Sequence, residues 1–315
     1  MAREARNDIA AGVTVFDPER GRSSVAPPCA GPGCWAGAPG AFSDGRDSYL
    51  VYRMRRPQPG RGYELRIGVV RAGPRLDTVW SAGKGSFGAE SIERCALARV
   101  GDRWRLYVSF VRQDDRRWRI GLVEASAVDA FDPADMVVVL DPADLGLAAV
   151  KDPWLRRSGE GWLMFVSYGT LPESTATELH ATGDALSTGR TLSATGLATS
   201  ADGRRWTWEG PVLLPSVSGW DAFTTRLSTA VRDRDGWLGL YDGSASIAEN
   251  YEERCGLARS SDLRHWERVS VDGPAIGTAR GPGGVRYVEI TDAGDVFYEY
   301  TRSDGAHELR VAHTG

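Results

Sequence analysis

A unit of strand, polar turn and strand recurs along this sequence and restricts the possible folds more than any other feature. Five segments carry the unit: 37–55, 91–110, 149–168, 224–243 and 284–302. In the middle three, the turn leads into a tryptophan at the start of the second strand: Trp104, Trp162 and Trp237. Helical periodicity is nearly absent, and Gly, Asp, Arg and Pro separate the apolar runs. The pattern predicts an all-β chain.

Each copy is followed by a third strand-like segment, so the units repeat about every 55 to 75 residues, the length of a four-stranded blade with some longer loops. The sequence therefore predicts a five-bladed β-propeller with antiparallel blades around a central funnel. We expect one domain over residues 1–315, with 1–34 as an N-terminal arm. Within that arm, residues 8–16 are expected to supply the outer strand that closes the ring, because closure removes an exposed sheet edge.

Charge and hydropathy exclude several partners. The 38 basic and 42 acidic residues give a formal charge of −4, and no basic run marks a nucleic-acid surface. The sequence contains no apolar stretch of about 18 residues and no apolar core near its first residues, so neither a membrane span nor a signal peptide is expected. We therefore expect a cytoplasmic protein with a small-molecule substrate; the sequence does not indicate an oligomeric state.

The four cysteines give no sign of a metal centre. Cys95 and Cys255 lie in predicted strands, as small buried thiols commonly do. Cys29 and Cys34 flank a loop and could form a disulfide or half of a metal site. A reducing cytoplasm disfavours the disulfide, and no second His or Cys pair completes the metal site. The expectation is therefore no disulfide, no metal and no cofactor.

The first strand of every blade lines the channel, so residues distant in sequence should meet there. Aligning these strands places Ala38, Arg94, Arg226 and Arg286 at the position of Asp152. One carboxylate would then face three guanidinium groups, which favour its charged form and suit it to accept a proton or orient a substrate. Two alternatives remain open: the arginines bind an anionic ligand, or they brace acidic residues such as Glu93, Glu289 and Asp221.

Aromatic residues and two long loops complete the predicted pocket. Candidate substrate contacts on or near the inner strands are Trp35, Trp154, Tyr168 and Tyr287. The loops span 169–194, with His180, and 241–256, with Asp242, Asn250, Tyr251 and Glu253 as further contacts. Alternatively, a surface charge cluster is formed by Glu252, Glu253 and Arg254.

The most specific motifs for a family resemblance are "KDPWL", "WLMFVSYG" and "SSDLRHW". On these motifs, the chain resembles the five-bladed glycosidase-like propellers of the glycoside hydrolase family 43, 32 and 130 type. The resemblance implies a first-blade Asp-Pro as general base, a second Asp that orients the substrate, and a Glu as general acid. Asp152 looks like the second Asp. The first blade instead reads Ala38-Pro39, and "TTRLSTA" in the fourth blade lacks the Glu.

A glycosidase needs two carboxyl groups across the scissile bond. Hydrolysis would have to recruit Glu93, Glu289 or Asp221 beside Asp152, and each of the three could instead form an ion pair. We expect an enzyme for a small sugar-like or otherwise anionic substrate, performing hydrolysis or an elimination, cyclisation or isomerisation in small-molecule biosynthesis. The alternative is a non-catalytic propeller that binds a carbohydrate or an anion.

Overall fold

The described chain is built almost entirely of strands. A computed structural model describes residues 16–159, 161–171, 184–278 and 283–313. In these ranges lie 20 strands and five 3-10 helices: Pro18–Arg20, Lys84–Phe87, Pro133–Asp135, Ala185–Ser187 and Ile247–Glu249. None of these helices has the length or apolar character that crossing a membrane requires.

The strands form five antiparallel blades of four, which confirms the predicted propeller. The first blade comprises β2 (Trp35–Ser43), β3 (Ser48–Arg56), β4 (Arg61–Val70) and β5 (Leu76–Gly83). The second comprises β6 (Ala89–Val100), β7 (Arg103–Arg112), β8 (Trp118–Ala125) and β9 (Val137–Leu140). The third comprises β10 (Leu147–Ser158), β11 (Gly161–Thr170), β12 (Ala194–Ser200) and β13 (Thr207–Leu213). The fourth comprises β14 (Thr224–Arg232), β15 (Trp237–Ser244), β16 (Arg254–Ser260) and β17 (Glu267–Arg268).

The fifth blade closes the ring with a strand from the N-terminal arm. It comprises β18 (Val285–Ile290), β19 (Asp295–Thr301), β20 (His307–His313) and β1 (Arg22–Val25). Strand β1 pairs with β20, and a parallel bridge between Trp35 and His307 joins this blade to the first. Residues 8–15 of the segment predicted to close the ring lie outside the described residues; the closing strand lies further along the same arm.

The repeated tryptophans fill the space between neighbouring blades. Trp104 packs edge-on against Tyr49, with ring centroids 5.0 Å apart, and so joins the second blade to the first. Phe165 of the third blade meets Trp266 of the fourth in the same way, at 6.2 Å. Large aromatic surfaces buried between blades provide much of the hydrophobic stabilisation. The interblade core therefore fixes how the inner strands approach the axis.

Every inner strand carries a bulge near the axis. Pairing with the second strand skips two residues in four blades, and the first skipped residues are Ala38, Glu93, Asp152 and Tyr287. Three of these residues have a positive φ: 52° at Ala38, 59° at Asp152 and 52° at Tyr287. The predicted alignment was therefore wrong in three blades. Glu93 and Tyr287, rather than Arg94 and Arg286, share the position of Asp152, and the residue skipped in β14 is Ser228 rather than Arg226.

The expectation that Cys29 and Cys34 form no disulfide is also wrong. Cys29 and Cys34 are bonded, with their Cα atoms 5.3 Å apart. Gly31 and Gly33 adopt φ values of 86° and 84°, so the loop folds back and brings the two thiols together. The expectation rested on the redox state of the assumed compartment and took no account of this local geometry.

Candidate functional site

A small pocket lies on the propeller axis, at the N-terminal halves of the inner strands. We call it the axial pocket; its polar lining includes Glu93, Lys151, Arg226, Arg286 and Tyr287. Its volume is about 10 Å³, which is room for about one water molecule. The pocket is therefore closed in this structure, and ionisable groups from four blades meet around it.

Asp152 is fully buried at the centre of this group. Its Oδ2 lies 3.5 Å from the Tyr287 hydroxyl, 3.5 Å from Nη1 of Arg226 and 3.7 Å from Nζ of Lys151. Its backbone N–H donates to Oγ of Ser109. Its Oδ1 has no hydrogen-bond partner among the described residues. Among the described residues, the carboxylate is therefore contacted by cationic and hydroxyl groups at one oxygen only.

Tyr287 provides a protonated hydroxyl beside this carboxylate. Its ring lies under the Arg226 guanidinium, 3.9 Å from the ring centroid, and its backbone N–H donates to Asp242 at 3.0 Å. Burial raises the pKa of Tyr287 well above its usual value, and Asp152 and Glu93 add to the rise against the opposing effect of Arg226. The hydroxyl is thus a proton donor at neutral pH.

Glu93 and Lys151 carry opposite charges in the same pocket. Burial raises the pKa of Glu93, but the guanidinium of Arg53, 2.6 Å away, with Lys151 and Arg55, outweighs burial and brings it down to about 2. Burial lowers the pKa of Lys151, whereas Asp152 gives the largest opposing contribution, and the net shift is upward. Glu93 therefore remains a carboxylate and Lys151 an ammonium group at neutral pH.

The three arginines expected at the axis are all bonded to carboxylates. Arg226 reaches Asp242 at 2.7 Å. Arg286 reaches Glu299 at 2.7 Å and Glu253 at 2.8 Å. Arg94 bonds Glu289 and donates to the carbonyl of Pro39. Of the two alternatives for these arginines, the contacts among the described residues are those of a bracing network.

Aromatic side chains cover the axial pocket. The Trp35 ring stacks on His307 at 4.6 Å and contacts Tyr251 at 4.9 Å. The Tyr251 hydroxyl lies 2.7 Å from Oγ of Ser187, so segments of the third and fourth blades meet over the pocket. Asn250, Tyr251 and Glu253 of the 241–256 loop line the pocket. His180 of the other loop lies outside the described residues.

Four predicted site residues lie elsewhere in the fold. Glu289 and Trp154 line a separate space at the C-terminal ends of the inner strands, which we call the distal cavity. Glu289 accepts from Oγ1 of Thr229 there, and burial raises its pKa despite the opposing effect of Arg94. Tyr168 packs edge-on against Trp208 in the core, at 5.3 Å. Asp221 is also outside the pocket, because it bonds Tyr241 and Arg268.

Sequence reasoning missed Lys151, Arg53 and Glu299 as members of this group. Lys151 directly precedes Asp152, and strict alternation would point it away from the channel. The bulge breaks that alternation, so both side chains reach the axis. Arg53 and Glu299 lie on second strands, and the repeat pattern indicates only that inner strands line the channel. Among the described residues, no group of three or more His, Cys, Asp or Glu side chains is arranged to hold a metal ion.

Comparison with solved structures shows the class of fold. A glycoside hydrolase structure superposes with a TM-score of 0.71 at 15% identity, covering 98% of this chain and 94% of that one. A beta-1,2-mannobiose phosphorylase from Listeria innocua gives 0.60 at 14% identity, covering 92% and 93%. An alpha-L-arabinofuranosidase from Lactobacillus brevis gives 0.60 at 14%, covering 88% and 90%.

The chain thus has the five-bladed fold of glycoside-hydrolase-like propellers, and the suspected resemblance is confirmed at the level of fold. No protein-family model matches the chain, and no curated protein matches it. The chemistry of the site has to be argued from its own residues.

Proposed function

We propose that the protein is a carbohydrate-active enzyme whose active site is the axial pocket and whose central carboxylate is Asp152. The observation that carries the proposal is the buried Oδ1 of Asp152, which has no partner among the described residues. Leaving such an oxygen buried without a partner costs about 1 to 3 kcal/mol, and a ligand donor would remove that cost. The glycoside-hydrolase-like fold supports a sugar or sugar-like substrate.

The protonation states favour a particular division of roles. Asp152 serves as the proton acceptor, and Tyr287, which keeps its proton at neutral pH and lies beside Asp152, serves as a hydrogen-bond donor to the substrate. Lys151 stabilises negative charge that develops on the substrate. Because Glu93 stays ionised, it does not supply the acidic carboxyl that glycoside cleavage requires. We therefore favour elimination, cyclisation or isomerisation of a sugar-like substrate over hydrolysis.

A substrate also has to enter a pocket that is closed. Tyr251 and Trp35 cover it through ring contacts, and Tyr251 is additionally held by Ser187. Movement of the segment that carries Tyr251 would open the pocket to the top of the propeller. An anionic group on the substrate would then meet the Lys151 ammonium, since the nearby arginines already bond carboxylates.

Replacing Asp152 tests the proposal. The probes are a panel of 4-nitrophenyl glycosides and beta-1,2-mannobiose, each with and without inorganic phosphate. Turnover is followed by absorbance and by NMR of the products, and affinity by calorimetry. We expect Asp152→Asn to lower turnover by about 100-fold or more while the dissociation constant stays within about threefold. The matched control is Asp129→Asn, at an exposed position of the second blade, with wild-type turnover.

Three outcomes contradict the proposal. Sugar binding without turnover in the wild-type protein would identify a binding propeller instead. Equal turnover in Asp152→Asn and wild type would remove Asp152 from the mechanism. Neither binding nor turnover across the whole panel would remove carbohydrates as the substrate class.

A further inference from the structure

We propose that the distal cavity is a second binding site, for a small organic anion with a flat apolar body such as an aryl phosphate or aryl carboxylate. The cavity lies at the opposite mouth of the channel from Asp152, and all five inner strands contribute to its wall. This inference does not depend on the function proposed for the axial pocket.

The size of the distal cavity suits a small molecule. Its volume is about 380 Å³, within the range of about 300 to 1,000 Å³ that ligand pockets occupy. The axial pocket, in contrast, has about 10 Å³. Of the two sites, the distal cavity is therefore the one that a small molecule enters without a conformational change of the protein.

The apolar part of the wall favours a flat ligand. Phe42, Leu97, Trp154 and Ile290 line the cavity from four different blades. Trp154 is 8% exposed and packs against Phe165, so its ring is held in a fixed orientation. Aromatic side chains of this kind give ligand rings a large contact area with little entropy to lose.

The charged part of the wall favours an anion. The lining includes three arginines, Arg99, Arg156 and Arg157, and two acidic residues, Glu289 and Asp292. The Glu289 carboxyl is itself bonded to Arg94. Among the residues that line the cavity, basic side chains therefore outnumber acidic ones, and Asp44, outside this lining, lies 3.8 Å from Arg99.

The three guanidinium groups are also held in place. Each lies over a tryptophan ring: Arg99 over Trp104 at 5.6 Å, Arg156 over Trp237 at 4.7 Å, and Arg157 over Trp162 at 5.1 Å. Stacking limits the rotamers of a long side chain, so less entropy is lost when an anion binds.

The axial pocket and the distal cavity are separate along the inner strands. In β18, Tyr287 lines the axial pocket, whereas Glu289 lines the distal cavity. In β6, Arg94 lies between the axial Glu93 and the distal Leu97, and its bond to Glu289 spans the second and fifth blades. A ligand in one site therefore does not reach the residues of the other.

Calorimetry on the full chain with four probes tests this inference. Phenyl phosphate and benzoate combine an anionic group with a flat ring, whereas benzamide lacks the charge and inorganic phosphate lacks the ring. We expect phenyl phosphate or benzoate to bind with a dissociation constant of about 1 mM or tighter, and both incomplete probes to bind at least about fivefold more weakly. The probe that binds more tightly distinguishes the phosphate from the carboxylate class.

Two variants locate the binding. Arg157→Glu should weaken binding of the preferred anion by at least about threefold, because it reverses a charge on the cavity wall. The matched control is Arg232→Glu: Arg232 is also exposed and also lies over a tryptophan, Trp237 at 5.1 Å, but it does not line the cavity. Asp152→Asn should leave the affinity for the anion unchanged.

The inference is overturned if neither aryl anion binds at millimolar concentration, or if benzamide or inorganic phosphate binds equally well. It is also overturned if Arg157→Glu and Arg232→Glu change the affinity equally. Loss of binding in Asp152→Asn alone would move the anion to the axial pocket and likewise remove the distal site. Turnover of sugars has no bearing on any of these outcomes.

Discussion

Glu93 and Asp152 occupy the same bulge position in neighbouring blades, yet their surroundings assign them different tasks. Glu93 bonds Arg53 at 2.6 Å, and Arg55 lies 3.8 Å from its other oxygen. Asp152 keeps one oxygen without a partner among the described residues. A buried carboxylate with cationic partners at both oxygens stabilises the native state, whereas one with an open oxygen is available for chemistry.

The contribution of the single residue Glu93 to stability depends on pH, and this dependence gives a prediction. Its pKa is about 2 in the folded protein and near 4.5 when unperturbed, so its stabilising contribution is present above the unfolded value and is lost as the pH falls towards 2. We expect Glu93→Gln to lower the free energy of unfolding by about 3 kcal/mol at pH 7. At pH 3 this loss should be smaller by about 2 kcal/mol. Denaturant titrations at both pH values provide the measurement.

Glu267→Gln is the control for this variant, because Glu267 is exposed on the short strand β17. It should behave as wild type at both pH values. If the destabilisation of Glu93→Gln were the same at pH 7 and pH 3, the Arg53–Glu93 pair would not be the source of the effect.

Residues at the axis were predictable from the sequence only where a local motif within one inner strand identified them. Asp152 was found because Asp-Pro follows an apolar run, and Tyr287 because an aromatic lies on an inner strand. Arg53 and Glu299 were not predictable, since both come from second strands. Their positions depend on how five blades pack together, which no local pattern in the sequence specifies.

At the scale of the element, the hydrogen-bonded ladder between the inner strand and the second strand of each blade is interrupted by a bulge. The repeated unit of strand, turn and strand identified all five inner strands, because that signal is local. The alignment across blades was wrong for Arg94 and Arg286 because the distance from the bulge to the following turn differs between blades, and wrong for Arg226 because the bulge in β14 also skips one residue instead of two. A bulge leaves little trace in hydrophobic periodicity, so register near the axis could not be obtained from the pattern.

Close approach of backbone between blades gives a second prediction. A Cβ at Gly62 of β4 would overlap the backbone carbonyl of Ile92 in β6, and a carbonyl in a paired strand cannot move aside. We expect Gly62→Ala to lower the free energy of unfolding by about 2 to 4 kcal/mol, measured by urea denaturation. Gly85→Ala, with no atom near the added Cβ, should stay within about 0.5 kcal/mol of wild type. Equal stability of the two variants would contradict the packing of β4 against β6.

At the scale of the whole molecule, the N-terminal arm joins the two ends of the ring. Strand β1 completes the fifth blade, and the Tyr298 hydroxyl donates to the carbonyl of Pro18 at 2.7 Å. The Cys29–Cys34 disulfide lies between β1 and β2, where the chain passes from the last blade to the first. The bond therefore constrains the connection on which ring closure depends.

Reduction of this disulfide gives a third prediction. Closing a loop of this size contributes about 2 kcal/mol to stability, so dithiothreitol should lower the free energy of unfolding of the wild-type protein by that amount. The Cys29→Ser/Cys34→Ser double variant should match reduced wild type and be insensitive to reductant. Thiol titration of the denatured, unreduced protein should detect Cys95 and Cys255 alone. Four reactive thiols before reduction would show that the bond is absent.

The covered axial pocket has a kinetic consequence. Asp152 is fully buried, and the axial pocket lined by its neighbours Lys151, Arg226 and Tyr287 has space for about one water molecule, so the resting protein does not expose this carboxylate to solutes. Each encounter with a ligand must then begin with an opening step whose rate is a property of the protein. The observed rate of binding at the axial pocket would therefore reach a plateau at high ligand concentration. The plateau equals the rate of opening, which depends on the aromatic contacts of Tyr251.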